Sequence, residues 1–292
     1  MCHSLSDVPD IIDTWNEGKV VDIEGYYENA KINRVYVDRV HVKKAFAEYT
    51  AAYNADDPKI KLKIDHTYRV AALCERIAKA AGMCAYDVEL AWLSGMLHDV
   101  GRFEQIKRYN TFSDADSVDH AKFGADLLFK DGLISTFLNG MVKCTGYKPG
   151  ALEDRYDSDG VFLYDRLNKS DMEMLELAIR CHNMYRIPQG LNRREQAFCN
   201  VLRDADKVDI FKVNIDTPLE EIYNTTTEEL MKSDITDEVL KAFDEEHCIL
   251  KAIRRTPADT VIGHVSLAYE LVYDESVRIT VELSLIHISE PT

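Results

Sequence analysis

Apolar residues recur at helical spacing over most of this chain. In VKKAFAEYTAAYN (42–54), Val42, Phe46, Tyr49 and Tyr53 fall on one stripe. In IDHTYRVAALCERIAKAAG (64–82), Ile64, Tyr68, Ala71, Ala72, Cys74 and Ile77 gather near one face, and Gly82 is a natural stop. VELAWLSGMLHDVG (88–101) is apolar nearly all round, the pattern of a central buried helix. The periodicity predicts further helices over 117–131, 133–144, 170–184, 193–213, 236–252 and 258–273. Two stretches break the pattern. KVVDIEGYYENAKINRVYV, within 1–39, alternates apolar and polar residues as a surface arm or short hairpin does, and 145–169 is rich in Gly, Pro and Asp. The expected architecture is one all-α domain: an N-terminal extension at 1–39, a helical domain at 40–215 with 145–169 as an insertion or loop, and a C-terminal helical region at 216–283 packed on it. The last residues, SLIHISEPT (284–292), resemble a translated sequencing adapter of the kind that ends metagenomic reading frames, and are expected to be a non-native tail.

Composition narrows the function. With 292 residues, 46% hydrophobic and 29% charged, the chain has the makeup of a folded globular protein. Thirty-five Lys and Arg against 51 Asp and Glu leave a net charge of −16, which argues against non-specific nucleic-acid binding but not against a small anionic substrate. Seven scattered cysteines without a C-x-x-C pair read as free thiols in a reducing cytosol. No leader-like start and no long apolar run is evident, so the expectation is a cytoplasmic protein without a membrane role.

Of nine histidines, four stand in unusual contexts: His66 in KIDHTYRV, His98 beside Asp99 in GMLHDVGRF, His120 in VDHAKFG and His182 in AIRCHNMYRIP. RDADKVDIF adds Asp204, Asp206 and Asp209. The His98-Asp99 pair ends an otherwise apolar helix, where a buried carboxylate needs a partner; a divalent metal supplies one to both groups. Taken singly, any of these histidines could be an ordinary core residue; four together, each in such a context, could not.

The order His66, His98-Asp99, Asp206 resembles the H…HD…D signature of the HD-domain superfamily of metal-dependent phosphohydrolases, over roughly residues 40–215. The resemblance implies a helical bundle and metal ligation by His66, His98, Asp99 and Asp206, the last in an Ala-Asp-Lys context like the family's final ligand. His120 and His182 fit the extra histidines of the two-metal members. His182 resembles part of the A-I-x-x-H-H of HD-GYP phosphodiesterases, although Asn183 replaces the second His and the G-Y-P element is missing. Leu62 stands where relatives with a third metal carry Glu. Asp204 is expected to support the site from behind, with the choice between it and Asp206 left open. HDVGR is similar to H-D-[IVL]-G-[KR], whose basic residue contacts substrate phosphate. The implied function is hydrolysis of a phosphate ester, with nucleotides among the candidate substrates, by water activated on two divalent transition metals (Fe, Mn, Co, Ni or Zn). Asp99 would bridge them, with Arg102 and Lys207 assisting chemistry and Arg102, Lys122 and Asn183 contacting a small phosphorylated substrate. Gly101 is expected to let the chain turn and aim Arg102 at the cavity. The same ligand order also resembles di-iron HD oxygenases such as myo-inositol oxygenase. An HD scaffold used as a regulatory binding module is the lesser alternative.

Overall fold

The computed structural model describes residues 37–54, 56–138, 143–144, 162–163, 169–223 and 225–289. They form an all-α architecture. Helix α1 (Arg39–Thr50) is capped by the Asp38 carboxylate. Helix α2 (Pro58–Ala80) starts with Pro58 at its first turn behind an Asp57 cap, and the chain leaves it through Gly82 at φ +71°. Helix α3 (Ala85–Leu97) is buried from Leu90 to Leu97, as its unbroken apolar run requires.

The expected helix over 88–101 stops at Leu97. His98 is its cap, Asp99 takes φ −108° and ψ 14°, and a separate helix α4 (Val100–Tyr109) begins at once. Helix α5 (His120–Ala125) is capped by Asp119 and widens into a π-type turn over Asp126–Lys130. Then follow α6 (Ile134–Leu138), α7 (Lys169–Cys181) and the long α8 (Arg193–Asp216), which opens on a capping box between Asn192 and Glu195. Between α6 and α7 a two-residue antiparallel ladder pairs β1 (Lys143–Cys144) with β2 (Phe162–Leu163). The expected insertion lies otherwise outside the described residues, as does the expected arm up to residue 36.

Helices α2, α3, α7 and α8 enclose one core that includes Val70, Cys74, Leu90, Leu93, Leu97, Leu175, Ile179 and Leu202. Glycine sets two close approaches. A Cβ on Gly95 would stand 2.6 Å from the Ala71 Cα of α2. One on Gly101 would collide with the His120 carbonyl and lie 2.7 Å from the Gly124 nitrogen. Gly101 therefore serves helix packing inside α4 and not the turn expected there, because that turn is already made at Asp99.

After Asp216 come α9 (Leu219–Tyr223), α10 (Thr227–Met231), α11 (Asp237–Asp244) and α12 (Pro257–Val265), which build a small core around Val239, Ala242 and Ile249. The helices expected over 236–252 and 258–273 are shorter than predicted. Glu246 at φ 55° interrupts the first, and 3₁₀ turns at Lys251–Ile253 and Ser266–Glu270 follow each. A last helix, α13 (Asp274–Ser289), not predicted, returns across α2 and α8; it runs into the segment expected to be a non-native tail. Ile279 on α13 joins the main core.

Among the described residues, no helix is long and apolar enough to cross a membrane. Cys74, Cys181, Cys199 and Cys248 are buried free thiols. Cys84, half-exposed, is the cap residue before α3.

Gly101→Ala tests the α4–α5 contact. Its methyl meets backbone on both sides, so the expected cost is about 1–3 kcal/mol, read as a lowered urea midpoint. An unchanged midpoint would show that the two helices part without penalty.

Candidate metal centre

Six helices converge on one site. His66 lies mid-way along the buried face of α2, and His98 and Asp99 at the junction of α3 and α4. His120 is the first residue of α5, His182 follows the last turn of α7, and Asp206 is central in α8. The junction is buried because α3 is apolar all round, so its end opens inside the protein: His98 is fully buried and Asp99 nearly so.

Each imidazole is held by its outer nitrogen. His98 Nδ1 donates to the Gly95 carbonyl and His182 Nδ1 to that of Ile179, both at 2.7 Å. His66 Nδ1 donates to Asp209 Oδ2 at 2.6 Å, and His120 Nδ1 to Asp114 Oδ2 at 2.7 Å. With Nδ1 committed as donor, the neutral ring presents an Nε2 lone pair inward. These nitrogens face each other in pairs, His66 with His98 at 3.2 Å and His120 with His182 at 3.1 Å. Two lone pairs that close repel unless a cation lies between them.

The carboxylates complete two nests. Asp99 Oδ2 is 3.4 Å from both His66 Nε2 and His98 Nε2, and Asp206 Oδ1 is 3.2 Å from His66 Nε2. Asp99 Oδ1 is 3.5 Å from His120 Nε2 and 3.7 Å from His182 Nε2, and this buried oxygen has no hydrogen-bond donor. Ligands about 2.1 Å from a tetrahedral ion stand roughly 3.4 Å apart, so both nests have the right size for a divalent metal. His66, His98 and Asp99 form one group able to hold an ion, and Asp99, His120 and His182 another.

Charge follows the same arrangement. Burial and the Lys63 ammonium both pull the His66 pKa down, but Asp206, Asp209 and Asp99 outweigh them and hold it up at about 10. Burial lowers His98 and takes His120 down to about 4 against the pull of Asp114. Burial opposes ionisation of Asp99 and Asp206, yet the cations around them keep both carboxyls below the usual range. In the ion-free protein the proton on His66 stands in for metal charge.

The other expected residues are placed as follows. Arg102 Nη1 donates to Gln105 Oε1, the Phe112 carbonyl and Asp114 Oδ1, while its buried Nε, without a partner, lies 3.8 Å from Asp99 Oδ1. Lys122 pairs with Asp119 on the surface, and Asn183 donates to Asp119 and Asp114; both sit at the rim. Lys207 turns to Glu270, which also pairs with Arg203. Asp204 does not back the ligands. It accepts from the backbone nitrogens of Val272 and Tyr273 and so ties the C-terminal region to α8. That supporting place belongs to Asp209, which is also gripped by Arg69 at 2.6 Å. The signal was available: Asp209 lies three residues after Asp206, on the same helix face, and Asp204 two before it, on another. Asp114, Lys63 and Glu270 were missed altogether. Arg203 adds a support that no pattern announces: its guanidinium donates to the carbonyls of Cys181, His182, Met184 and Tyr185 and so pins the turn bearing His182.

The family model described as HD domain matches residues 64–210, half of the chain. No curated protein matches the sequence, and no solved structure does.

Two expectations test this arrangement. Asp209→Asn should weaken metal binding about 10–100-fold while Asp204→Asn leaves it within a few-fold, measured by titration with Mn²⁺ or Zn²⁺; equal losses would show that Asp209 has no special hold on His66. The second concerns pH in chelator-treated protein. His66, raised to about 10, contributes stability that is fully present below its unfolded value near 6.5 and is lost as pH rises towards 10. His120, lowered to about 4, contributes stability that is lost as pH falls from 6.5 to 4. Thermal melts should therefore peak near neutrality, and His66→Gln should flatten the alkaline fall; a variant with the same alkaline slope would assign it elsewhere.

Proposed function

This chain belongs to the HD domain family, a superfamily of metal-dependent phosphohydrolase type, and on that footing we propose that it hydrolyses a phosphate ester of a small molecule with two divalent transition metals. The observation that carries the reading is the pairing of facing imidazoles on the two oxygens of one buried carboxylate, Asp99. His66, His98, Asp206 and Asp99 would hold one ion, and His120, His182 and Asp99 the other. When bound, such ions lower the pKa of a shared water towards neutrality and polarise the phosphoryl oxygens.

The chain's own residues orient and neutralise. Asp209 and Asp114 fix the tautomers of His66 and His120, and Arg203 fixes the turn of His182. Arg102, clamped at Nη1, keeps its free Nε beside Asp99, where it would donate to a phosphoryl oxygen as negative charge grows there. Lys207, ion-paired with Glu270, supports α8 in this scheme and does not take part in the chemistry. Lys122 and Asn183 would meet the substrate only at its outer end, since both lie at the rim. Asp206, partly exposed, marks the side open to solvent.

The test is metal analysis of protein purified without chelator, then phosphate release from phosphomonoesters, phosphodiesters and nucleotides with Mn, Co, Ni, Fe or Zn. About two ions per chain are expected, falling to about one in Asp206→Ala, and Arg102→Ala should cut turnover about 10²–10³-fold at unchanged metal content. Oxygen-dependent turnover without phosphate release would replace this reading with the oxygenase one. A protein that binds no metal would overturn both.

A further inference from the structure

Lys63 was not among the residues that the sequence singled out. It stands one turn before His66 on α2, on the same helix face. Its Nζ is 2.6 Å from Asp99 Oδ2, with the side chain 18% exposed. The ammonium lies 5.7 Å from the centre of the Phe112 ring, and the Arg102 guanidinium lies 5.6 Å from the same ring. Arg102 Nε approaches the other oxygen of Asp99. Two cations thus flank one carboxylate from opposite ends and share an aromatic partner at the edge of the site.

We infer that Lys63 is a substrate-positioning residue that exchanges partners: it neutralises Asp99 in the ion-free protein and grips an anionic oxygen of the substrate in the loaded one. The inference rests on the hydrolase reading for its second half only. Asp99 Oδ2 is the oxygen that also faces His66 and His98, so an ion held by those rings delivers positive charge to the atom that Lys63 now neutralises. Like charges a few ångströms apart in a largely buried site repel strongly, which favours release of the ammonium. A lysine can take that release, because its charge rides on a flexible four-carbon stem and its exposure leaves it a path to the opening. Arg102 cannot follow, because Gln105, Asp114 and the Phe112 carbonyl clamp it. The fixed guanidinium and the movable ammonium together suit a group with several anionic oxygens, such as a phosphoryl group.

The experiment compares wild type with Lys63→Met and Lys63→Arg, each first melted to establish that it folds. Chelator-stripped Lys63→Met should bind Mn²⁺ about tenfold tighter, because a competing cation has left a ligand, while Lys63→Arg should not. The metal-loaded Lys63→Met should bind inorganic phosphate about tenfold more weakly and show a raised KM for the best ester, with Lys63→Arg recovering most of the phosphate affinity. Unchanged Mn²⁺ affinity in Lys63→Met overturns the Asp99 half. Unchanged phosphate affinity in that variant overturns the substrate half. Should loaded wild type neither bind phosphate nor release it from any ester, the hydrolase reading fails and takes the substrate half with it, while the Mn²⁺ titration still decides the Asp99 half.

Discussion

Four imidazole nitrogens and two carboxylates face one another in the interior of this protein, and such a group is stable only around positive charge. A proton on His66 and the Lys63 ammonium provide it in the ion-free chain. Isolated buried charges cost several kcal/mol each, so the site would expel its ligands or stay hydrated if nothing held them. Much of the surrounding structure can be understood as that hold.

The holding is done from outside the ring of ligands. Every histidine is anchored through Nδ1, two of them by backbone carbonyls of their own helix and two by carboxylates brought from elsewhere. Those carboxylates are themselves secured, Asp209 by Arg69 and Asp114 by Arg102 and Gln105. The rigidity of such chains lies in their being satisfied at each link, since a half-satisfied buried network costs more than an apolar core. The close approaches at Gly95 and Gly101 bring the helices near enough for the links to form.

The C-terminal region is part of the same construction. Its Glu270 takes the charge of both Arg203 and Lys207, and its backbone at Val272 and Tyr273 satisfies the fully buried Asp204. Burial nonetheless raises the Asp204 carboxyl above its ordinary value. Three charged residues of α8 flanking Asp206 are thus settled by a segment more than fifty residues further along the chain. A region that reads as an addition is bound to the helix that carries a candidate ligand.

Sequence alone determined the helical class, because a period of 3.6 in apolar residues is a local property that survives without knowledge of partners. It marked candidates for one site, because four histidines stand out by their neighbours and the resemblance adds Asp99 and Asp206, and it could have found Asp209 by counting along one helix. It could not show that the helix before His98 ends there: the weakest helix former in LHDVGRF is Gly101, yet Gly101 lies inside α4 and the break falls at Asp99. Nor could it find Lys63, Asp114 or Glu270, ordinary charged residues on helices and loops whose partners are 36, 6 and 67 positions away. Asp204 and Asp206 are near neighbours with the same side chain, and only packing sends one towards the imidazoles and the other to the C-terminal backbone. Which atoms meet across such separations is set by how helices pack, and packing is a property of the folded chain.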